Sequence, residues 1–106
     1  MNFDTLIAVS EAELTAARSA REAATADQKA LLAGVEADAR KALTEDEQAR
    51  FDGLSIAKRE ADAKIAAQEA RLNDLRAEKA ADEKAARDAA TVTESGASLR
   101  KYDEVA

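Results

Sequence analysis

The sequence predicts an all-α fold: a long antiparallel two-helix hairpin, coiled-coil-like, with a flexible C-terminal tail. Three observations predict it. The chain contains no proline, the residue that helix interiors tolerate least. Apolar residues recur at alternating spacings of three and four, the heptad pattern of helices packed side by side. A helix-start signal, Thr44-Glu45-Asp46-Glu47, stands near the middle of the chain.

The first helix is expected over about residues 4–42. Its stripe runs through Ile7, Leu14, Ala17, Arg21, Ala24, Gln28, Leu31 or Leu32, and Val35. Arg40 and Lys41 stand near its end, where the helix dipole favours cations. The turn is placed at about 43–44. There Thr44 and Glu47 form a capping box, with the Thr44 hydroxyl and the Glu47 carboxylate exchanging bonds with each other's backbone N–H. Glu45, Asp46 and Glu47 also suit the positive end of a helix dipole. So short a connection implies antiparallel neighbours.

The second helix is expected over about 45–90. Its stripe is Phe51, Leu54, Lys58, Ala61, Ile65, Gln68, Leu72 and Leu75. Folding the chain at the turn pairs Val35 with Phe51, Leu32 with Leu54, Arg21 with Ile65 and Leu14 with Leu72. The expected packing seam is therefore Leu14, Leu32, Val35, Phe51, Leu54, Ile65, Leu72 and Leu75. Between the two apolar ends alanines face one another, so the middle should be narrow and weakly packed. Arg21, Gln28, Lys58 and Gln68 read best as seam residues with packed stems and solvated heads; the competing reading makes them markers of register or of a contact with a second hairpin. Gly34 and Gly53 either face each other for close backbone approach or are merely tolerated. The pairs Glu36–Arg40, Asp46–Arg50, Glu60–Lys64 and Glu83–Arg87 have the spacing of helical ion pairs.

Beyond Leu75 large apolar residues stop, so Ala77–Ala90 should run past its partner helix. Thr91, Val92, Thr93, Ser95, Gly96 and Ser98 then change the composition. The organisation expected is a hairpin over 1–90 and a flexible, protease-accessible tail or linker over 91–106.

Composition narrows the function. Hydrophobic residues are 46% of the chain, but most are alanine, and aromatics are 3%. Alanine favours helix yet buries little area, so a rod suits this chain better than a compact core. A net charge of −6 with interspersed signs offers no basic stripe for phosphates, and nucleic acid is not an expected partner. No apolar run approaches a membrane span, and no basic segment opens a signal peptide. Histidine and cysteine are absent. That removes the commonest acid–base group and the strongest nucleophile. No enzymatic activity, cofactor, metal or catalytic residue is expected.

The stretch Leu43-Thr44-Glu45-Asp46-Glu47-Gln48-Ala49-Arg50-Phe51-Asp52-Gly53-Leu54 resembles the N-terminal scaffolding (delta) domain of tailed-phage major capsid proteins of the Hong Kong 97 type. Leu-Thr, an acidic cluster, then Phe-Asp and Leu open the second helix of those domains. Tyr102-Asp103-Glu104-Val105-Ala106 is similar to the lead-in to their shell subunit. Here Ser55-Ile56-Ala57-Lys58 follows, where family members often carry an acidic residue and Ile. The resemblance implies an internal scaffolding segment that directs procapsid assembly. Its partners would be copies of itself, the capsid shell domain and a maturation protease that cuts within Thr91 to Ala106. Its place would be the host cytoplasm and the procapsid interior. Two other classes fit the same composition. One is a coiled-coil adaptor or chaperone-like module; the other is a largely disordered, stress-protective helical polypeptide.

Overall fold

A computed structural model describes the backbone of residues 2–105 and the side chains of residues 2–90. Two helices make up the chain: α1, Phe3–Ala37, and α2, Glu45–Val105. They pack along each other as an antiparallel hairpin measuring 92 × 23 × 18 Å. The length is set by α2, because α1 with its 35 residues spans only about 52 Å.

α1 begins one residue earlier than the sequence suggests. Asn2 has extended backbone and its Oδ1 accepts from the Thr5 N–H. That bond satisfies one of the amide groups a helix start leaves open. The end of α1 differs more. The helix stops at Ala37, five residues short of the expected 42, and the connection takes residues 38–44. The cause is a Schellman motif. The Ala39 N–H donates to the Glu36 carbonyl, and the Arg40 N–H donates to the Val35 carbonyl. Ala39 stands at φ 56°, a left-handed conformation that normally belongs to glycine. A short alanine at that position gave no sequence signal for a stop.

The seam is a heptad on both sides. In α1 it runs Phe3, Ile7, Ser10, Leu14, Ala17, Arg21, Ala24, Gln28, Leu31 and Val35. In α2 it runs Glu47, Phe51, Leu54, Lys58, Ala61, Ile65, Gln68, Leu72, Leu75 and Lys79. All but Arg21 are buried or half-buried. Leu14, Val35, Leu72 and Leu75 are buried, and Phe51, Leu54 and Ile65 are half-buried, as the pattern predicts. Leu32 is the exception. It is 45% exposed, because the three-four alternation from Ala24 and Gln28 lands on Leu31 and leaves its neighbour on the flank. Gln28 donates to the Phe51 carbonyl at 3.3 Å.

The glycines do not face each other. A Cβ built on Gly34 or Gly53 meets nothing within 4 Å. They are tolerated in open helix faces and serve no close approach. Nor do the four expected i,i+4 ion pairs form among the described residues; Lys79–Glu83 at 3.8 Å is the one of that spacing. Lys79 itself reaches Asp4 at 2.6 Å, which places the start of α1 beside it. Residues 80–90 are all exposed, so α2 runs past its partner as expected. The tail expected over 91–106 lies outside the residues whose side chains are described; the α2 backbone is helical to Val105.

These backbone positions make opposite predictions for the same pair of residue types. Gly34→Ala and Gly53→Ala should each raise the unfolding free energy of the dilute chain by about 1 kcal/mol, since helix propensity improves and nothing clashes. Ala39→Gly should also stabilise, by about 1 kcal/mol, by relieving the left-handed strain. Urea unfolding followed by circular dichroism checks all three. Destabilisation by either helical alanine would mean that those glycines do pack against a backbone.

Candidate interaction site

Nothing in the described part of the molecule is arranged for chemistry on a small substrate. The features that stand out are polar groups inside the seam and the unequal finish of its two edges.

Ser10 is the most deeply buried side chain of any size, 1% exposed. Its hydroxyl donates to Gln68 Oε1 at 2.5 Å, and Gln68 Nε2 donates to Glu13 Oε2. A second polar layer lies nearer the turn. Gln28, 7% exposed, donates to Ser55 Oγ at 2.8 Å and accepts from Lys58 Nζ at 3.2 Å. No buried side-chain nitrogen or oxygen among the described residues lacks a partner. Satisfied polar layers in an otherwise apolar seam specify register, because sliding the helices strands each group without its partner. Gln68 is half-buried, with its Nε2 on the exposed Glu13 carboxylate; Gln28 is buried with its amide bonded on both sides, and for it the solvated-head reading fails. It holds for Arg21, which is exposed and bonds to Asp62. Sequence reasoning missed Ser10, since a serine at a heptad position carries no apolar signal; its place seven residues before Ala17 was the available clue.

The turn is fastened by the predicted capping box. The Thr44 N–H donates to Glu47 Oε1 at 2.9 Å, and the Glu47 N–H donates to Thr44 Oγ1 at 3.2 Å. Arg40, freed from the helix by the Schellman turn, grips the same carboxylate with both terminal nitrogens and also reaches Asp38 at 3.3 Å. The Arg40 guanidinium, with the Thr44 amide, pulls the Glu47 carboxyl from 4.5 down to about 2. In return the Glu47 carboxylate raises Arg40 above its ordinary range.

One edge of the seam is closed by ion pairs between the helices. Arg18 meets Glu69 at 3.0 Å, Arg76 meets Glu11 at 3.3 Å, and Arg21 and Lys79 reach Asp62 and Asp4. Hydrogen bonding to Asp4 raises the Lys79 pKa. Such exposed pairs contribute little energy each, but they fix which side chains flank that edge. The other edge is open. A groove of about 670 Å³ runs along it, floored by Ala16, Ala17, Ala20, Ala57 and Ala61 and bordered by Glu13, Glu60, Lys64 and Gln68. A second groove nearer the turn passes Ala30, Leu31 and Gly34 toward Arg50. The ion-paired edge also carries a groove, of about 470 Å³, beside Leu14 and Leu72 and crossed by charged side chains; the other edge differs in being floored by small side chains. The proposed cleavage region, Thr91 to Ala106, lies outside the residues whose side chains are described.

The Glu47 carboxylate gives a pH prediction. Its folded pKa is lowered, so its contribution to stability is present above pH 4.5 and is lost as pH falls toward 2. Glu47→Gln should lower stability at neutral pH and flatten the acid limb of the stability profile between those values. An unchanged acid limb in the variant would remove Arg40–Glu47 from the account of the turn.

No helix among the described residues is long and apolar enough to cross a membrane. Compared with family models, with curated proteins and with solved structures, the chain matches none at a significant level.

Proposed function

We propose that the hairpin is an internal scaffolding segment of a tailed-phage capsid protein, which directs procapsid assembly and is removed by a maturation protease before or during DNA packaging. The observation that carries the proposal is the overlap between the resemblance and the turn. Residues 43–54, which resemble the delta domain, supply Thr44 and Glu47 of the capping box and Phe51 and Leu54 of the seam. They build the start of α2 and fasten the turn.

The energetics suit the same role. Large apolar side chains bury at the two ends of the seam, while Ala17, Ala24 and Ala61 fill its middle. A rod so thinly packed gains little by itself, but copies tethered to a growing shell meet at high effective concentration. The net charge of −6 disfavours retention beside DNA. In this reading the partners are further copies, the shell domain and the protease, the site of action is the procapsid interior in the host cytoplasm, and the segment has no catalytic function of its own. The alternative, a coiled-coil adaptor with a specific protein client, draws on the open alanine-lined edge.

Co-expression separates the two. The shell protein encoded with this segment is produced with and without residues 1–106 fused ahead of it. Shells that form only with the segment, and whose mature subunits lack it on N-terminal sequencing, are the expected result. Mature subunits that still begin at or before Thr91 would contradict the cleavage reading. Equal assembly without the segment would reject scaffolding and favour the adaptor.

A further inference from the structure

We propose that the open edge is the interface of a two-fold symmetric homodimer, in which α2 of one hairpin packs antiparallel against α2 of a second copy, centred on Asp62. The argument starts from unused charges. Arg50, Glu60, Lys64, Arg71 and Asp74 are exposed on α2. None takes part in an ion pair or hydrogen bond among the described residues, although their neighbours on the opposite edge do. They share one stripe, spaced by alternating threes and fours, with Gly53, Ala57 and Ala67 between them.

The stripe is complementary to itself when reversed. An antiparallel copy centred on Asp62 sets Glu60 against Lys64, and Arg50 against Asp74, each twice by symmetry. It also sets Ala57 against Ala67 and Gly53 against the long side chain of Arg71. The charge pairs Glu60–Lys64 thus lie nearest the centre, with the Ala57–Ala67 contacts on either side of them. The match ends where Asp46 would meet Glu78, which bounds the contact at Arg50 and Asp74, about 36 Å of helix. Sliding by one heptad leaves one kind of opposite-charge pair in either direction, Glu60 against Arg71 or Asp46 against Arg71, where the register centred on Asp62 has two.

α1 supplies an independent check. The hairpin's own register places Arg21 beside Asp62, joined at 2.5 Å, so the same two-fold axis crosses α1 beside Arg21. About that point Ala20 falls against Ala23, Ala16 against Asp27, Glu13 against Ala30, and the exposed Val9 against Gly34. No like charges meet. The grooves along this edge are lined by Ala16, Ala20, Ala30 and Gly34. One axis therefore satisfies the charges on α2 and the small residues on α1, and the product is a four-helix bundle. This inference concerns the chain itself and does not depend on its serving a capsid.

The chain contains no cysteine, so a disulfide can report the register directly. The full chain carrying Ala57→Cys and Ala67→Cys is oxidised and run on a denaturing gel, beside each single variant. The double variant should form a covalent dimer and the single variants should not, since an antiparallel copy centred on Asp62 brings residue 57 only to residue 67. Sedimentation of charge variants without cysteine gives the second readout. Glu60→Lys should weaken self-association by about tenfold through facing like charges, and Glu60→Lys with Lys64→Glu should restore it. Circular dichroism confirms that the exposed substitutions leave the helices intact. Cross-linking of either single variant at the level of the double one, a helical double variant that stays monomeric on oxidation, or a charge swap that fails to restore association would each overturn the proposal.

Discussion

The alanines at the middle of the seam, Ala17, Ala24 and Ala61, set what the rest of the fold must supply. Alanine brings two helices close and costs little to order, but it offers no knob large enough to distinguish one register from the next. Ala17, Ala24 and Ala61 would pack nearly as well one heptad away. Specificity must come from groups for which a shifted partner is costly. Ser10–Gln68 and Gln28 with Ser55 and Lys58 provide it, because a buried amide or hydroxyl that loses its bond carries the full desolvation penalty. The large apolar residues at the two ends, Leu14, Leu72 and Leu75 far from the turn and Val35 and Phe51 near it, supply burial; the polar layers supply alignment.

The turn and the edges follow from that alignment. Once Gln28 is set against Ser55, the chain must cross from α1 to α2 over a fixed offset, and seven residues are used for it. The Schellman motif at Asp38–Arg40 ends one helix while turning Arg40 toward the carboxylate that caps the next. One side chain, Glu47, so joins the end of α1, the connection and the start of α2. The same register sets Arg18, Arg76, Arg21 and Lys79 against acidic partners on one side of the seam. On the other side it leaves alanine and unpaired charge. That difference between the two edges is what the proposed homodimer draws on.

Much of this was legible in the sequence. The capping box, the α2 heptad and the antiparallel order follow from residue type and spacing alone, because each is a local signal with a single physical meaning. What escaped had non-local or ambiguous causes. Ala39 in a left-handed conformation ends α1 without the glycine that announces such ends, so the helix stops five residues before the spacing alone suggests. Leu31 and Leu32 are equally apolar, and only the phase carried from Gln28 separates them. Ser10 and the two glutamines looked like interruptions of an apolar stripe, whereas they are its most specific members. The charges were assigned along each helix by i,i+4 spacing; across a narrow alanine seam the other helix is near enough to compete for them.

The central claim is the register of α1 against α2, and a single distance tests it. Thr15 and Asn73 line the same groove on the closed edge, beside Leu14 and Leu72. Spin labels on cysteines placed at these two positions would report their separation by pulsed dipolar spectroscopy in dilute frozen solution. The account predicts one narrow, short distance. A distance shifted by several Å in either direction, as a slip of one heptad along the axis would give, or a broad spread of distances would show that the polar layers do not hold the helices in place.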